Sequence, residues 1–193
     1  MRVLILNIRD LSNITILLLI LLLISHIDRL CIVTSAAKLN GTPTADKLNG
    51  TPKDDDLNGF DGDDTLNGLS GNDVIQGGQG DDSIIGAEGN DYLYGAVGKD
   101  SITGGPGNDE VNGGDGPDTI NGNEGDDILY GGLNKDIING GPGNDRLYGG
   151  PGDDILTGGD GGDFFRCGVG IDRITDFQPL EGDIKMSDCE STK

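Results

Sequence analysis

The stretch GGPGNDRLYGGPGDDILT, residues 140–157, is one nine-residue pattern written twice. Each copy opens Gly-Gly-x-Gly-x-Asp and closes with an apolar residue between two variable ones. Followed outward in both directions, the pattern places an aspartate every nine residues without a slip. These are Asp64, Asp73, Asp82, Asp91, Asp100, Asp109, Asp118, Asp127, Asp136, Asp145, Asp154, Asp163 and Asp172. Two residues after each stands an apolar side chain, from Leu66, Ile75 and Ile84 through Val111 and Leu129 to Phe165 and Ile174. A fixed period of this kind signals a solenoid, in which each unit buries its apolar face only against its neighbours.

The unit dictates its own local structure. Six of its residues, as in GGPGND (140–145), are turn formers: glycine admits positive φ and close backbone approach, and proline fixes φ where no donor is needed. The other three, such as Arg146-Leu147-Tyr148, form a short strand with the middle side chain inward. Two units make one coil of 18 residues with a strand on each side. Coils then stack as two parallel sheets, about 4.8 Å per step. The expected fold is an all-β parallel solenoid with a core one double row thick. Side chains flanking the apolar slot sort by coil half. One face carries Tyr92, Tyr94, Ile128, Tyr130 and Tyr148, and the other Thr65, Asn67, Ser83, Ser101, Thr103, Thr119 and Asn121. Either face offers a docking surface, the tyrosine row for a glycan or another protein.

Composition shows what such a coil lacks. Glycine supplies 36 of 193 residues, aromatics only 4%, and the formal net charge is -21. Little apolar surface opposes strong self-repulsion, the balance of a chain that stays disordered until its charge is cancelled. Stacking also sets Asp73 opposite Asp91 and Asp91 opposite Asp109, so the coils bring like charges into columns. A hard divalent cation between turns, held by carboxylates and glycine-turn carbonyls, converts that repulsion into cross-links. An all-oxygen site of flexible geometry suits calcium, while magnesium demands a stricter octahedron. Only 13 Lys and Arg residues are present, scattered along the chain, which argues against nucleic acid as a partner.

On these residues the chain resembles the repeats-in-toxin (RTX) family of hemolysin-type calcium-binding proteins, whose unit GGPGNDRLY and GGPGDDILT match at every position. The resemblance covers residues 59–176. It implies a right-handed parallel β-roll that folds when calcium binds between turns. Carried over by position, the side-chain ligands are Asp64, Asp73, Asp82, Asp91, Asp100, Asp109, Asp118, Asp127, Asp136, Asp145, Asp154, Asp163 and Asp172, and pairing at a spacing of 18 gives up to about ten calcium ions. Ala87, Ala96 and Asn123 replace the second glycine of their units and Asn134 the third, so weakened sites are expected there. Lys99 and Lys135 add positive charge beside Asp100 and Asp136.

Four segments follow: a leader (1–35), degenerate capping repeats (36–59), the nonapeptide roll (60–176) and a closing tail (177–193). In the leader, Arg2 and Arg9 precede the apolar run Ile14–Ile24, and Thr34-Ser35-Ala36-Ala37 offers a cleavage site. The run is shorter than the roughly 20 residues that span a bilayer and reads as a secretory signal, with contact to a membrane only if it stays uncleaved. An extracellular location follows. In 36–59 the period persists through Leu39, Leu48 and Leu57, but Thr-Pro replaces the glycines, as expected of terminal caps. Asp54-x-Asp56-x-Asn58-Gly59 imitates an EF-hand opening, yet Thr65 stands where the closing Glu belongs. In the tail the period breaks at Phe177 and Pro179, and Phe177, Ile184 and Met186 are expected to cover the last coil. Cys167 and Cys189, an even pair in an exported chain, are expected to form a disulfide. Catalysis is not expected. The single histidine, His26, lies in the leader, so the roll has no His-x-Glu-x-x-His site and no Ser-His or Cys-His dyad, and no Gly-x-Ser-x-Gly turn occurs.

Overall fold

A computed structural model describes residues 36–189. The chain divides after Thr34, and the described residues belong to its second unit. The expected leader and its signal lie outside them.

Among the described residues seventeen strands follow one another. They are β1 (Lys38–Asn40), β2 (Lys47–Asn49), β3 (Asp56–Asp61), β4 (Thr65–Ser70), β5 (Val74–Gln79) and β6 (Ser83–Glu88). Next come β7 (Tyr92–Val97), β8 (Ser101–Thr103), β9 (Glu110–Asp115), β10 (Thr119–Asn121), β11 (Ile128–Leu133) and β12 (Ile137–Pro142). The last are β13 (Arg146–Pro151), β14 (Ile155–Asp160), β15 (Phe164–Val169), β16 (Arg173–Ile174) and β17 (Ile184–Lys185). Odd-numbered strands form a nine-stranded sheet and even-numbered strands an eight-stranded one, with each strand hydrogen-bonded to the strand two places along. Every pairing between named strands is parallel, and from β1 to β16 the register offset is 18 residues, as Leu57↔Ile75, Ile75↔Leu93 and Leu93↔Val111 show. The fold is a parallel β-solenoid of two nonapeptides per coil.

The core is the double row that the period requires. Leu57, Leu66, Ile75, Ile84, Leu93, Ile102, Val111, Ile120, Leu129, Ile138, Leu147, Leu156 and Phe165 are buried, contributed alternately by the two sheets. Strands run longer than three residues. Most have six, extending through the next two glycines and one residue beyond. Identical backbone lies above and below each rung, so the ladder continues where an ordinary sheet would turn away. Gly78 shows why glycine recurs at the second position: its φ is +125°, and a Cβ there would fall 1.8 Å from the Phe60 carbonyl oxygen. Ala87, Ala96 and Asn123 hold the same conformation, as does Asn134 at the third glycine, with φ between 77° and 86°. So do Phe60 and Leu69, which the repeat comparison overlooks, at 79° and 86°. Asn tolerates this region; for Phe and Leu it costs conformational energy.

The tail corrects one expectation. Phe177 packs on the core, its ring edge-on to Phe165 at 6.3 Å. Ile184 and Met186 do not cover the last coil, being 60% and 44% exposed. The tail is two residues longer than a repeat at this point, so β17 pairs Phe164↔Ile184 and Phe165↔Lys185. In this pairing Ile184 lies outward beside Phe164 and Lys185 stands over the inward slot of Phe165, its ammonium 5.2 Å from the Phe177 ring. Cys167 and Cys189 are joined by a disulfide and complete the closed end.

Candidate metal centre

Each repeat aspartate is the last residue of the six-residue turn and precedes its strand, which aims its side chain inward beside the first glycine of the same unit. From Asp64 to Asp172 all are essentially solvent-free. Their Oδ1 atoms accept the backbone N–H of the residue one coil earlier: Asp73 N–H donates to Asp91 Oδ1, Asp91 N–H to Asp109, and Asp109 N–H to Asp127, each at 2.8 Å. The columns of like charge are thus threaded by amides. Asp100 and Asp136, beside the lysines, keep this arrangement at 2.8 Å, and Lys99 and Lys135 point to solvent.

The second oxygen is different. In the twelve aspartates from Asp64 to Asp163, Oδ2 is buried and has no hydrogen-bond partner. Buried carboxylate oxygens are normally satisfied, and leaving one bare is costly. Glycine is what lets it lie so close to the backbone. A methyl group on Gly104 would come 2.2 Å from Asp109 Oδ2 and 2.8 Å from the Gly122 carbonyl oxygen, and one on Gly77 would meet Asp82 Oδ2 and the Gly95 carbonyl at 2.2 and 2.8 Å. Bare carboxylate oxygens next to carbonyl oxygens of the adjoining coil are a hard, all-oxygen donor set, which fits calcium. Among the described residues no three acidic, His or Cys side chains gather into a metal cluster. An ion in these turns therefore draws part of its shell from main-chain carbonyls. Burial, the largest influence, lifts these carboxyls well above the ordinary 3.8, to about 6 for Asp73, Asp82, Asp100, Asp118, Asp154 and Asp163 and to about 7 for Asp109, Asp127, Asp136 and Asp145. The amide bonds to Oδ1 pull in the opposite direction.

With this geometry in place, comparison with known families is decisive. The RTX calcium-binding nonapeptide repeat matches the chain in 4 copies, over residues 40–75, 67–102, 103–138 and 131–165. The chain belongs to the RTX calcium-binding repeat family. Among curated proteins, none matches it.

The RTX matches begin at residue 40, inside the degenerate units, and the aspartate columns reach equally far. Asp55 is buried and accepts the Ala37 N–H, and Asp46 N–H donates to Asp64 Oδ1. Here, however, the Thr of Thr-Pro occupies the carboxylate's free side. Thr42 donates its N–H and its hydroxyl to Asp46 Oδ2 at 2.6 and 2.8 Å. Thr51 donates its N–H to Asp55 Oδ2 at 2.5 Å and its hydroxyl to Oδ1 at 3.1 Å. At the far end Asp183 prolongs a column, accepting the Asp163 N–H on Oδ1 at 3.0 Å and the Gln178 N–H on Oδ2 at 2.6 Å. Sequence reasoning passed over these three aspartates. Asp46 and Asp55 could have been found from the period alone, with threonine four residues before each; Asp183 is off phase and gives no such signal.

A further set of RTX contacts uses the residue before the buried aspartate. Asn72, Asn90, Asn108 and Asp126 each accept, on Oδ1, the N–H of the residue one coil later, at 2.7–3.0 Å. Successive residues such as Asn90 and Asp91 therefore fasten a turn in opposite directions along the axis. On the other edge Asp63, Asp81 and Asp153 do the same, while Lys99, Pro117 and Lys135 have no side-chain acceptor to offer.

Proposed function

We propose that this calcium-binding β-roll is exported to the cell surface or beyond and orders on binding calcium between its turns, with a structural or adhesive role. The observation that carries the reading is the run of buried, donorless Oδ2 atoms from Asp64 to Asp163, each lying against the first glycine of its unit and, as far as Asp154, close to a main-chain carbonyl of the next coil. Asp64, Asp73, Asp82, Asp91, Asp100, Asp109, Asp118, Asp127, Asp136, Asp145, Asp154 and Asp163 are the proposed side-chain ligands, with Asp172 closing the series, for up to about ten ions. Bound calcium supplies positive charge where folding otherwise concentrates negative charge. Export is supported by the charged and apolar pattern before residue 35 and by the Cys167–Cys189 disulfide. No catalytic role is proposed.

A second reading, a calcium-ordered module that binds a glycan or protein, is supported by the placement of all four tyrosines of the chain on the nine-stranded sheet. Circular dichroism of residues 36–193 tests the main reading. The chain is expected to be disordered in EDTA and to gain β structure cooperatively with calcium but not with magnesium. Full β structure in EDTA would refute the calcium-ordered fold.

A further inference from the structure

The tyrosines on the nine-stranded sheet leave a gap. One outward column reads Gln76, Tyr94, Asn112, Tyr130, Tyr148, Arg166, each residue one rung from the next. Tyr130 and Tyr148 stack with centroids 4.7 Å apart and planes within 18°, and Phe164 of the adjoining column continues the row at 6.0 Å. Tyr94 lies on the other side of Asn112, so its ring and that of Tyr130 are two rungs apart, roughly 9.6 Å. This is the spacing of an aromatic stack whose middle ring is missing. The short Asn112 leaves a slot there, bounded by Gly114, Asp115 and Leu133. Glu110 lines its neighbouring hollow on the Tyr92 side.

We propose that this slot binds one pyranose ring of a neutral glycan, held between the faces of Tyr94 and Tyr130 with Asn112 at its base. The proposal deepens the ligand-binding reading above and rests on it. A pyranose has apolar C–H faces and a rim of hydroxyls, so it fits between two aromatic faces over a polar floor. Asn112 offers both donor and acceptor, and its side chain makes no hydrogen bond among the described residues. Asp115 and Glu110 add acceptors for hydroxyl donors. The same carboxylates, which lie on the surface away from the buried aspartate columns, disfavour uronic or sulfated sugars. An aromatic side chain from a protein partner would fill the slot but leave these rim acceptors without donors. Because the slot is open to solvent, the bound ring can belong to a longer chain that continues past Tyr148.

The test is calorimetric titration of the calcium-loaded protein with maltohexaose, cellohexaose and mannohexaose, with polygalacturonate as the acidic counterpart. Intrinsic tyrosine fluorescence is a second readout, since the chain has no tryptophan. At least one neutral hexaose is expected to bind. Asn112→Tyr, which completes the stack, is expected to weaken binding tenfold or more while leaving the calcium-induced dichroism unchanged, and Asn112→Ala to weaken it severalfold. Binding that survives Asn112→Tyr but is lost when Tyr94, Tyr130 and Tyr148 are all replaced by alanine would overturn the slot and keep the tyrosine face. Absence of binding to every neutral probe, or preference for the acidic polymer, would overturn both.

Discussion

The end turns and the central turns of this solenoid use the same buried aspartate and satisfy it differently. At Asp46, Asp55 and Asp183 the Oδ2 atom receives an N–H from the protein, joined at Asp46 by a threonine hydroxyl. From Asp64 to Asp163 the same atom receives no hydrogen bond and lies against a glycine. The turn composition follows that division. Thr-Pro supplies donors at the start of the roll, whereas Gly-Gly removes everything that could compete with an ion. On the function proposed above, terminal units that satisfy their own carboxylates need no metal and central units depend on it, so the caps set the limits of calcium dependence.

The largest expected effect comes from neutralising one carboxylate in each region. Asp109→Asn keeps an acceptor for the Asp91 amide but places an NH2 in the ligand position. It is expected to lower calcium stoichiometry by one or two ions while leaving stability in EDTA no lower than before. Asp55→Asn places the NH2 against the Thr51 N–H, donor against donor. That should cost about 1–3 kcal/mol in the calcium-loaded fold and leave stoichiometry unchanged. Equilibrium dialysis together with denaturant melts reads both, and identical behaviour of the two variants would erase the distinction between end and centre.

A smaller effect, confined to the centre, comes from pH. Burial raises the central carboxyls above the ordinary 3.8 in the folded chain, to about 6 for Asp73 and about 7 for Asp109 and Asp127. Folded protein therefore holds protons that the unfolded chain has released, and protonation stabilises the fold. Without calcium this contribution is complete below about pH 4 and lost as pH rises through 6 to 7. In EDTA, β structure should accordingly be greater at pH 5 than at pH 8. With calcium the trend reverses, because the ion needs the ionised carboxylate. Dichroism across this range checks the sign, and an EDTA signal that grows with pH would contradict it.

The smallest effect belongs to one hydroxyl. Thr51→Val retains the N–H bond to Asp55 and removes the 3.1 Å hydroxyl bond, with an expected loss of about 1 kcal/mol in thermal or denaturant unfolding, independent of calcium. A calcium-dependent loss would mean that Asp55 also holds an ion.

Much of this architecture was legible in the sequence, because a period of nine fixes the register and faces at once. Leu66, Ile75 and their successors enter the core, and the tyrosines and the Ser/Thr/Asn row separate onto different sheets. Three things were not legible. Strand length depends on the ladder persisting through stacked glycines, a property of neighbouring coils rather than of one unit. The tail rejoins the ladder two residues beyond the period, which brings Lys185 rather than Asp183 onto the Phe165 slot and leaves Ile184 outward, and composition does not reveal that offset. The difference between Asp55 and Asp109 rests on which atoms reach Oδ2, and the aspartate itself is the same in both. Phe60 and Leu69 illustrate the same limit: their apolar character suggested nothing unusual, and only the repeated backbone forces them to positive φ.

The two-unit coil also constrains how such a chain can change length over evolution. Gain or loss of 18 residues removes or adds one rung and leaves every downstream side chain on its original sheet. Gain or loss of nine preserves the repeat motif yet transposes the two sheets from that point onward, so that Tyr130 and Tyr148 would leave the column of Tyr94 and stand among the threonines. Lineages of this roll can drift in whole coils while keeping a surface, whereas a half-coil step writes a new one.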